Sequence, residues 1–271
     1  MMKATEKLNL ANKQRKFICV GLDTDVKKMP AILSSSKNPV IDFNKKIIES
    51  TKDLAAAYKL NLAFYESEGK IGLNNLEETL SFIPDNVLII ADGKRGDIGN
   101  TSNLYARSIF DHFKFDSATL NPYMGKDSLD PFLTYSEKLN FILVLTSNPG
   151  SEDFQKQRLQ NGEFLFQNVL KKIHSWNSNL NCGIVFGATN MDELKMNLDN
   201  IGNLPLLIPG VGAQGGNLEE VTTALISSDK KSFLINISRG IIHKSFNVDF
   251  AEAARSELVL LNQTISHILK S

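Results

Sequence analysis

The sequence predicts an α/β protein, a single-domain (β/α)8 barrel (the TIM barrel) spanning residues 1–271. Three observations predict it. Roughly eight short apolar runs alternate with longer segments of helical periodicity. The runs are continuously apolar, as parallel strands buried on both faces are. Each run turns polar or charged at its C-terminal end, the face on which such barrels carry their sites. A doubly wound open sheet is the competing arrangement. No G-x-G-x-x-G follows the first run, which weighs against dinucleotide binding. No Pro-, Gly- or Ser-rich linker divides the chain.

In chain order, the first strand covers 17–22 (FICVGL) and runs into Asp23. A helix over 38–54 places apolar residues at 40, 43, 47 and 48 on one face. The second strand, 56–65, carries Lys59 and Asn61 on one face. A helix closes over 75–82, and Pro84-Asp85 turns the chain. The third strand begins at Val87, and the next helix is capped near Asn100-Thr101 and reaches about Phe113. Strand four is 117–121, and Asp127-Ser128 opens helix four. Strand five, 141–146, ends in Ser147-Asn148-Pro149-Gly150. A long helical region, 154–176, is interrupted near Asn161-Gly162. Strand six (182–186) and a helix (191–198) follow, and strand seven (205–208) opens into the Gly-rich loop 209–216, PGVGAQGG. A helix at 218–227, strand eight at 233–237, Ser238-Arg239-Gly240 and a closing helix at 248–270 complete the chain.

Composition narrows the function. Of 271 residues, 42% are hydrophobic and 22% charged, an ordinary globular balance. Thirty basic residues cancel thirty acidic ones, which gives no electrostatic case for nucleic acid or an anionic membrane. No apolar run has the ~18–20 residues a membrane helix needs. The first sixteen residues are charged and lack a signal-peptide core, so a cytoplasmic protein is expected. Cys19 and Cys182 both fall in strand-like runs and read as reduced core residues. The four histidines are scattered without ligand spacing, so no metal site is expected.

The chemistry collects on residues 87–102, VLIIADGKRGDIGNTS. Side chains alternate along a strand, so Leu88, Ile90, Asp92 and Lys94 share one face. Val87, Ile89, Ala91 and Gly93 share the other. A strand buried on both sides therefore ends with an acid and an ammonium on one side, an arrangement that is costly unless they pair. An isolated Asp-x-Lys reads equally well as a structural ion pair before a helix cap. Here, however, Asp23, Lys59, Asn121, Ser147 and Arg239 end other strands. Alternating signs along Lys59, Asp92, Lys94 and Asp97 would favour the charged form of each neighbour. Such a set suits a reaction that builds negative charge on carbon and then needs a proton. After strands seven and eight, a Gly-rich loop with Gln214 and the Ser238-Arg239-Gly240 turn suggest a phosphate site, where glycine admits backbone N–H groups and arginine offers a forked donor; the blander alternative is a plain turn with Arg239 a surface charge, which their shared position in the fold disfavours. Decarboxylation of a phosphorylated anion fits these residues.

From CVGLD (19–23) to NISRGII (236–242), the chain resembles the orotidine 5'-phosphate decarboxylase family, and its longer bacterial branch in particular. The family's D-x-K-x-x-D-I-x-x-T motif corresponds to Asp92, Lys94, Asp97, Ile98 and Thr101, with the upstream strand lysine and the PGVGAQGG loop also present. The resemblance implies conversion of orotidine 5'-phosphate to uridine 5'-phosphate without metal or organic cofactor. It implies that Lys59, Asp92, Lys94 and Asp97 form the catalytic charge network. Lys94 would protonate C6 of the base, with Asp92 and Asp97 near the leaving carboxylate. Asp23 would bind the ribose, Ser128 the pyrimidine, and Gln214, Arg239 and backbone at Gly240 the phosphate, under a closing loop 209–216. The chain would form a homodimer in which Asp97, Ile98 and Thr101 serve the shared site, Thr101 reaching the ribose of the other subunit. The resemblance gives 151–177 no role and carries least weight at 146–148. Two alternatives share the barrel. A Mg2+-dependent sugar-phosphate decarboxylase or aldolase would carry an acid where strand two has Lys59. A silent nucleotide-binding barrel would lack Lys94 or Lys59.

Overall fold

The computed structural model describes residues 2–212 and 214–270. Ala213, inside the expected phosphate loop, lies outside them. The chain opens with α1 (Ala4–Lys13), β1 (Ile18–Gly21), α2 (Pro39–Thr51), β2 (Ala57–Asn61), α3 (Leu62–Glu66) and α4 (Gly69–Ser81). It continues with β3 (Leu88–Arg95), α5 (Gly99–Arg107), β4 (Ser117–Leu120), α6 (Asp130–Leu133), β5 (Leu139–Leu145), α7 (Ser151–Phe154) and α8 (Leu165–Trp176). The last part comprises β6 (Cys182–Phe186), α9 (Met191–Ile201), β7 (Leu206–Pro209), α10 (Leu218–Ser227), β8 (Phe233–Ile237), α11 (Arg239–Ile242) and α12 (Phe250–Ile268). The strands pair in sequence order and close, β1 lying parallel to β8 with Ile18 opposite Ile235. That closure decides for the barrel against the open sheet.

Strand alternation splits the core in two. One set of side chains points outward, Val20, Tyr58, Ala118 and Ile184 among them, and packs under the helices. The other points inward, with Cys19, Ala57, Leu88, Ile90, Phe141, Val185, Leu207 and Leu234 filling the barrel. The two faces read from the sequence of β3 match: Leu88 and Ile90 lie inside, while Val87 and Ala91 join the outer core. Burial pushes the Cys19 thiol up to about 12, and both cysteines are unpaired and buried.

The sequence reading missed α1, whose apolar stripe is only Ala4, Leu8 and Ala11 among lysines and asparagines. That stripe packs against the inward residues and closes the lower mouth of the barrel. Lys7, on the same helix, donates to both oxygens of buried Asp116 at 2.9 and 2.8 Å, and Asp116 also accepts the Ile89 N–H at 3.0 Å. The Asn12 side chain exchanges two hydrogen bonds with the Phe233 backbone.

Other boundaries moved for local reasons. The second strand stops at Asn61, whose side chain accepts the Ala63 N–H and opens α3. The helix expected to close over 75–82 begins at Gly69 and ends at Ser81. Helix four is reduced to two 3-10 turns and α6, because Pro122, left-handed Gly125 (φ 94°) and Pro131 crowd that segment. The 154–176 region divides into α7 and α8, and Arg158 bridges Phe164 in the connecting loop. The closing helix starts at Phe250, and Arg255 forks onto Asp53 just beyond α2 at 2.6 and 2.8 Å.

Candidate active site

The C-terminal ends of the strands surround a cavity of about 450 Å³. Asp23 follows β1, and Lys59 sits on β2, Asp92 and Lys94 on β3 and Thr119 on β4. Leu143, Val185 and Leu207 give it an apolar side. Gln214 and the Ser238-Arg239-Gly240 turn line the opposite rim.

Charged groups form a chain across the floor. The Lys59 ammonium donates to Asp92 Oδ2 at 2.7 Å and lies 3.9 Å from Asp23 Oδ1. The Lys94 ammonium donates to the other oxygen of Asp92 at 2.8 Å. Burial opposes the charge on Lys59, but Asp92 and Asp23 outweigh it and hold that ammonium above the usual lysine range. Burial also pushes the Asp92 carboxyl up, yet Lys59 and Lys94 pull harder and hold it well below the usual carboxylate range. Of the two lysine side chains, Lys59 is 5% exposed and Lys94 50%. The buried lysine therefore anchors Asp92, and the other faces the space a ligand would fill.

Lys94 stands in an unusual backbone. Its φ is +46°, a left-handed conformation that costs a side-chain-bearing residue on the order of 1–2 kcal/mol. Pairing between β3 and β4 shifts there, Ala91 lying opposite Ala118 and Arg95 opposite Leu120. Gly96 follows at a close approach, since a Cβ on it would come within 2.6 Å of the Asn121 carbonyl oxygen.

The opposite rim carries glycines, an amide and a guanidinium. Gly210 takes φ +100°, which glycine adopts without strain, and the loop folds back so that Val211 bridges Gly216. Ser147 Oγ donates to Gln214 Oε1 at 2.5 Å across the mouth. The Gly240 N–H finds no backbone carbonyl among the described residues, and the exposed Arg239 guanidinium makes no hydrogen bond or ion pair among them. Three buried oxygens on the adjoining wall, Asp23 Oδ1, Asn236 Oδ1 and Ser238 Oγ, have no hydrogen-bond partner among the described residues. Buried polar atoms are seldom left so, and their clustering on one cavity wall marks a place for a polar ligand.

Of the residues singled out in the sequence, the structure brings Asp23, Lys59, Asp92, Lys94, Gln214, Arg239 and Gly240 around one cavity. Asp97, Ile98, Thr101 and Ser128 lie outside its lining. Asp97 accepts its neighbour's N–H, that of Ile98, at 2.8 Å, and Ile98 and Thr101 face outward. Ser128 is buried and donates to the Gly125 carbonyl at 2.6 Å. The charge chain within one copy thus runs through Asp23, where the sequence reading had placed Asp97. Thr119, Asn236 and Gln155 line the cavity without having been singled out. Asn236 left a signal, being a polar residue at an inward position of apolar FLINI. Thr119 left none, because threonine is an ordinary strand residue. Gln155 returns from the unassigned 151–177 segment to accept the Thr146 N–H at 2.7 Å. Among the described residues no three His, Cys, Asp or Glu side chains converge on a possible metal position.

A family model described as "Orotidine 5'-phosphate decarboxylase / HUMPS family" matches residues 16–255. A curated relative from Porphyromonas gingivalis named orotidine 5'-phosphate decarboxylase is 44% identical over 263 residues, covering 96% of this chain and 95% of the relative. One of the same name from Parabacteroides distasonis is 50% identical over 249 residues, covering 90% and 88%. Among solved structures, the chain is similar to Leishmania donovani OMP decarboxylase, with a TM-score of 0.85, 33% identity and full coverage of both chains.

Proposed function

The chain belongs to the orotidine 5'-phosphate decarboxylase / HUMPS family and converts orotidine 5'-phosphate to uridine 5'-phosphate in pyrimidine nucleotide synthesis, and we propose that it does so on the Lys94 ammonium without a metal or cofactor. The observation that carries this mechanism is the Asp23–Lys59–Asp92–Lys94 chain at the cavity floor. A substrate carboxylate placed beside ionised Asp92 is repelled. Breaking its bond to C6 releases CO2 and leaves the electron pair on C6. The cation of Lys94 stabilises that pair and then supplies the proton. Lys59 keeps Asp92 ionised and fixed while this happens. Its buried ammonium would also repel a divalent cation, which argues against a Mg2+-held enediolate at this position.

The remaining assignments follow the cavity. Asp23 binds the ribose. Gln214, Arg239 and the Gly240 N–H hold the phosphate, and loop 209–216 closes on it. Thr146, Asn148 and Gln155 face the base, while Ser128 reaches it only after exchanging its bond to Gly125. Asp97, Ile98 and Thr101 complete the site of a second copy in a homodimer. The outward position of Ile98, 61% exposed, and of Thr101 supports this, as does the exposed apolar neighbour Leu104 at 52%. The chain works as one barrel domain in the cytoplasm. Among the described residues no helix is long and apolar enough to cross a membrane.

The test is turnover of orotidine 5'-phosphate with and without a chelator, followed by loss of the orotate absorbance and release of CO2. Chelator-resistant turnover is expected. Turnover that stops with the chelator and returns with Mg2+ would overturn the metal-free mechanism.

A further inference from the structure

We infer that Thr119 is a positioning residue for the decarboxylation, a single hydroxyl that sets both the backbone of Lys94 and the orientation of Asp92. The inference rests on the assignment of Lys94 and Asp92 as the reacting pair. Between the pairs Ala91–Ala118 and Arg95–Leu120, three residues of β3 (Asp92, Gly93 and Lys94) face the single residue Thr119 on β4. Such a bulge leaves backbone groups without ladder partners and re-aims the side chains it carries. The Lys94 N–H is one of these groups, and it donates to Thr119 Oγ1 at 2.9 Å. The same hydroxyl donates its proton to Asp92 Oδ1 at 2.9 Å. That oxygen also receives the Lys94 ammonium at 2.8 Å. The bonds close a ring: Lys94 N–H to Thr119, Thr119 O–H to Asp92, and the Lys94 side chain back to Asp92.

The ring explains how a residue at φ +46° is held in one conformation. Thr119 is 2% exposed and its hydroxyl direction is fixed at both ends, with one donor and one acceptor. Asp92 cannot rotate, because Lys59 holds its second oxygen. The Lys94 ammonium is thereby aimed at a fixed point above Asp92, where the developing carbon charge would lie. Thr119 need not touch the reacting atoms. It acts through Lys94 and Asp92, and its contribution belongs to the chemical step more than to binding.

The experiment compares Thr119→Val, which keeps the shape and deletes the hydroxyl, with Thr119→Ser, which keeps the hydroxyl. Turnover of orotidine 5'-phosphate is measured together with the affinity for uridine 5'-phosphate by calorimetry. Thr119→Val is expected to lower kcat by about ten- to a hundredfold, the range for a lost hydrogen bond to a charged group. KM and product affinity should change by less than about threefold, because the phosphate and ribose contacts are untouched. Thr119→Ser should recover most of kcat. Wild-type kcat in Thr119→Val would overturn the inference. So would parallel losses of kcat and product affinity that serine fails to restore, since these indicate general loosening. Should Thr119→Val not fold, Thr119→Ala is read against Thr119→Ser by the same split. Wild-type protein that fails to turn over the substrate would defeat the underlying assignment, whereas active wild type with an unaffected Thr119→Val defeats only this inference.

Discussion

Lys94 and Asp92 are separated by one residue in sequence and joined by a 2.8 Å hydrogen bond, yet their surroundings differ: Asp92 is held on both oxygens, and Lys94 is half exposed. Removing the exposed partner should therefore leave a folded protein. Lys94→Ala is expected to cut kcat by at least about 10^4-fold, losing proton donor and charge stabilisation together. Uridine 5'-phosphate should still bind, and near-normal turnover in the folded variant would remove Lys94 as the acid. The pH behaviour follows from the two shifts. Asp92 is depressed, so its contribution to stability is present above the unfolded carboxyl range and is lost only as pH falls through its low folded value. Lys59 is raised, so its contribution is complete below the unfolded value of 10.5 and is lost as pH rises through its higher folded value. Neither group titrates near neutrality. The profile of kcat/KM should be flat from about pH 7 to 9, with an acid limb near the second phosphate ionisation, about pH 6. A limb inside the flat window would show that the charge chain itself titrates there. These charges were legible in the sequence because each ends an apolar strand, and burying a charge demands a partner. Thr119 was not, since its role depends on a register shift that no local pattern announces.

Elements were legible to the extent that their patterns are long and punctuated. Strands β3, β5 and β6 and helices α2, α9 and α10 stand close to where periodicity put them. Stretches crowded by Pro and Gly, such as 122–131, defeated it, because backbone restriction there overrides periodicity. Helix α1 was lost to its lysines, one of which is an internal ion-pair partner. Lys7→Ala strands buried Asp116 and should cost about 3–5 kcal/mol of stability, measured by denaturant unfolding, while KM stays near wild type. A cost below about 1 kcal/mol would show that the pair is replaceable by water. At the other end of the barrel, Arg239 stands exposed on the turn after β8, without an ion-pair partner among the described residues. Arg239→Ala should raise KM for orotidine 5'-phosphate by about 10- to 100-fold and leave the weak turnover of the nucleoside orotidine nearly unchanged. Equal losses for both compounds would move the phosphate site elsewhere.

At the scale of the whole molecule, one copy does not bring Asp97 to the cavity that holds Lys94. Mixing Lys94→Ala with Asp97→Ala chains should restore about a quarter of wild-type activity, because random pairing leaves one intact site in each mixed dimer. Verified mixed dimers without recovery would argue for sites completed within one chain. Helix α1 carries a different consequence. Its apolar stripe stoppers the barrel from below, at the end opposite the cavity. Should loop 209–216 close on the phosphate as proposed, it must open again before the nucleotide can leave. If that opening limits turnover, kcat should slow as sucrose thickens the solvent, whereas a kcat indifferent to viscosity would place the limit in the chemical step.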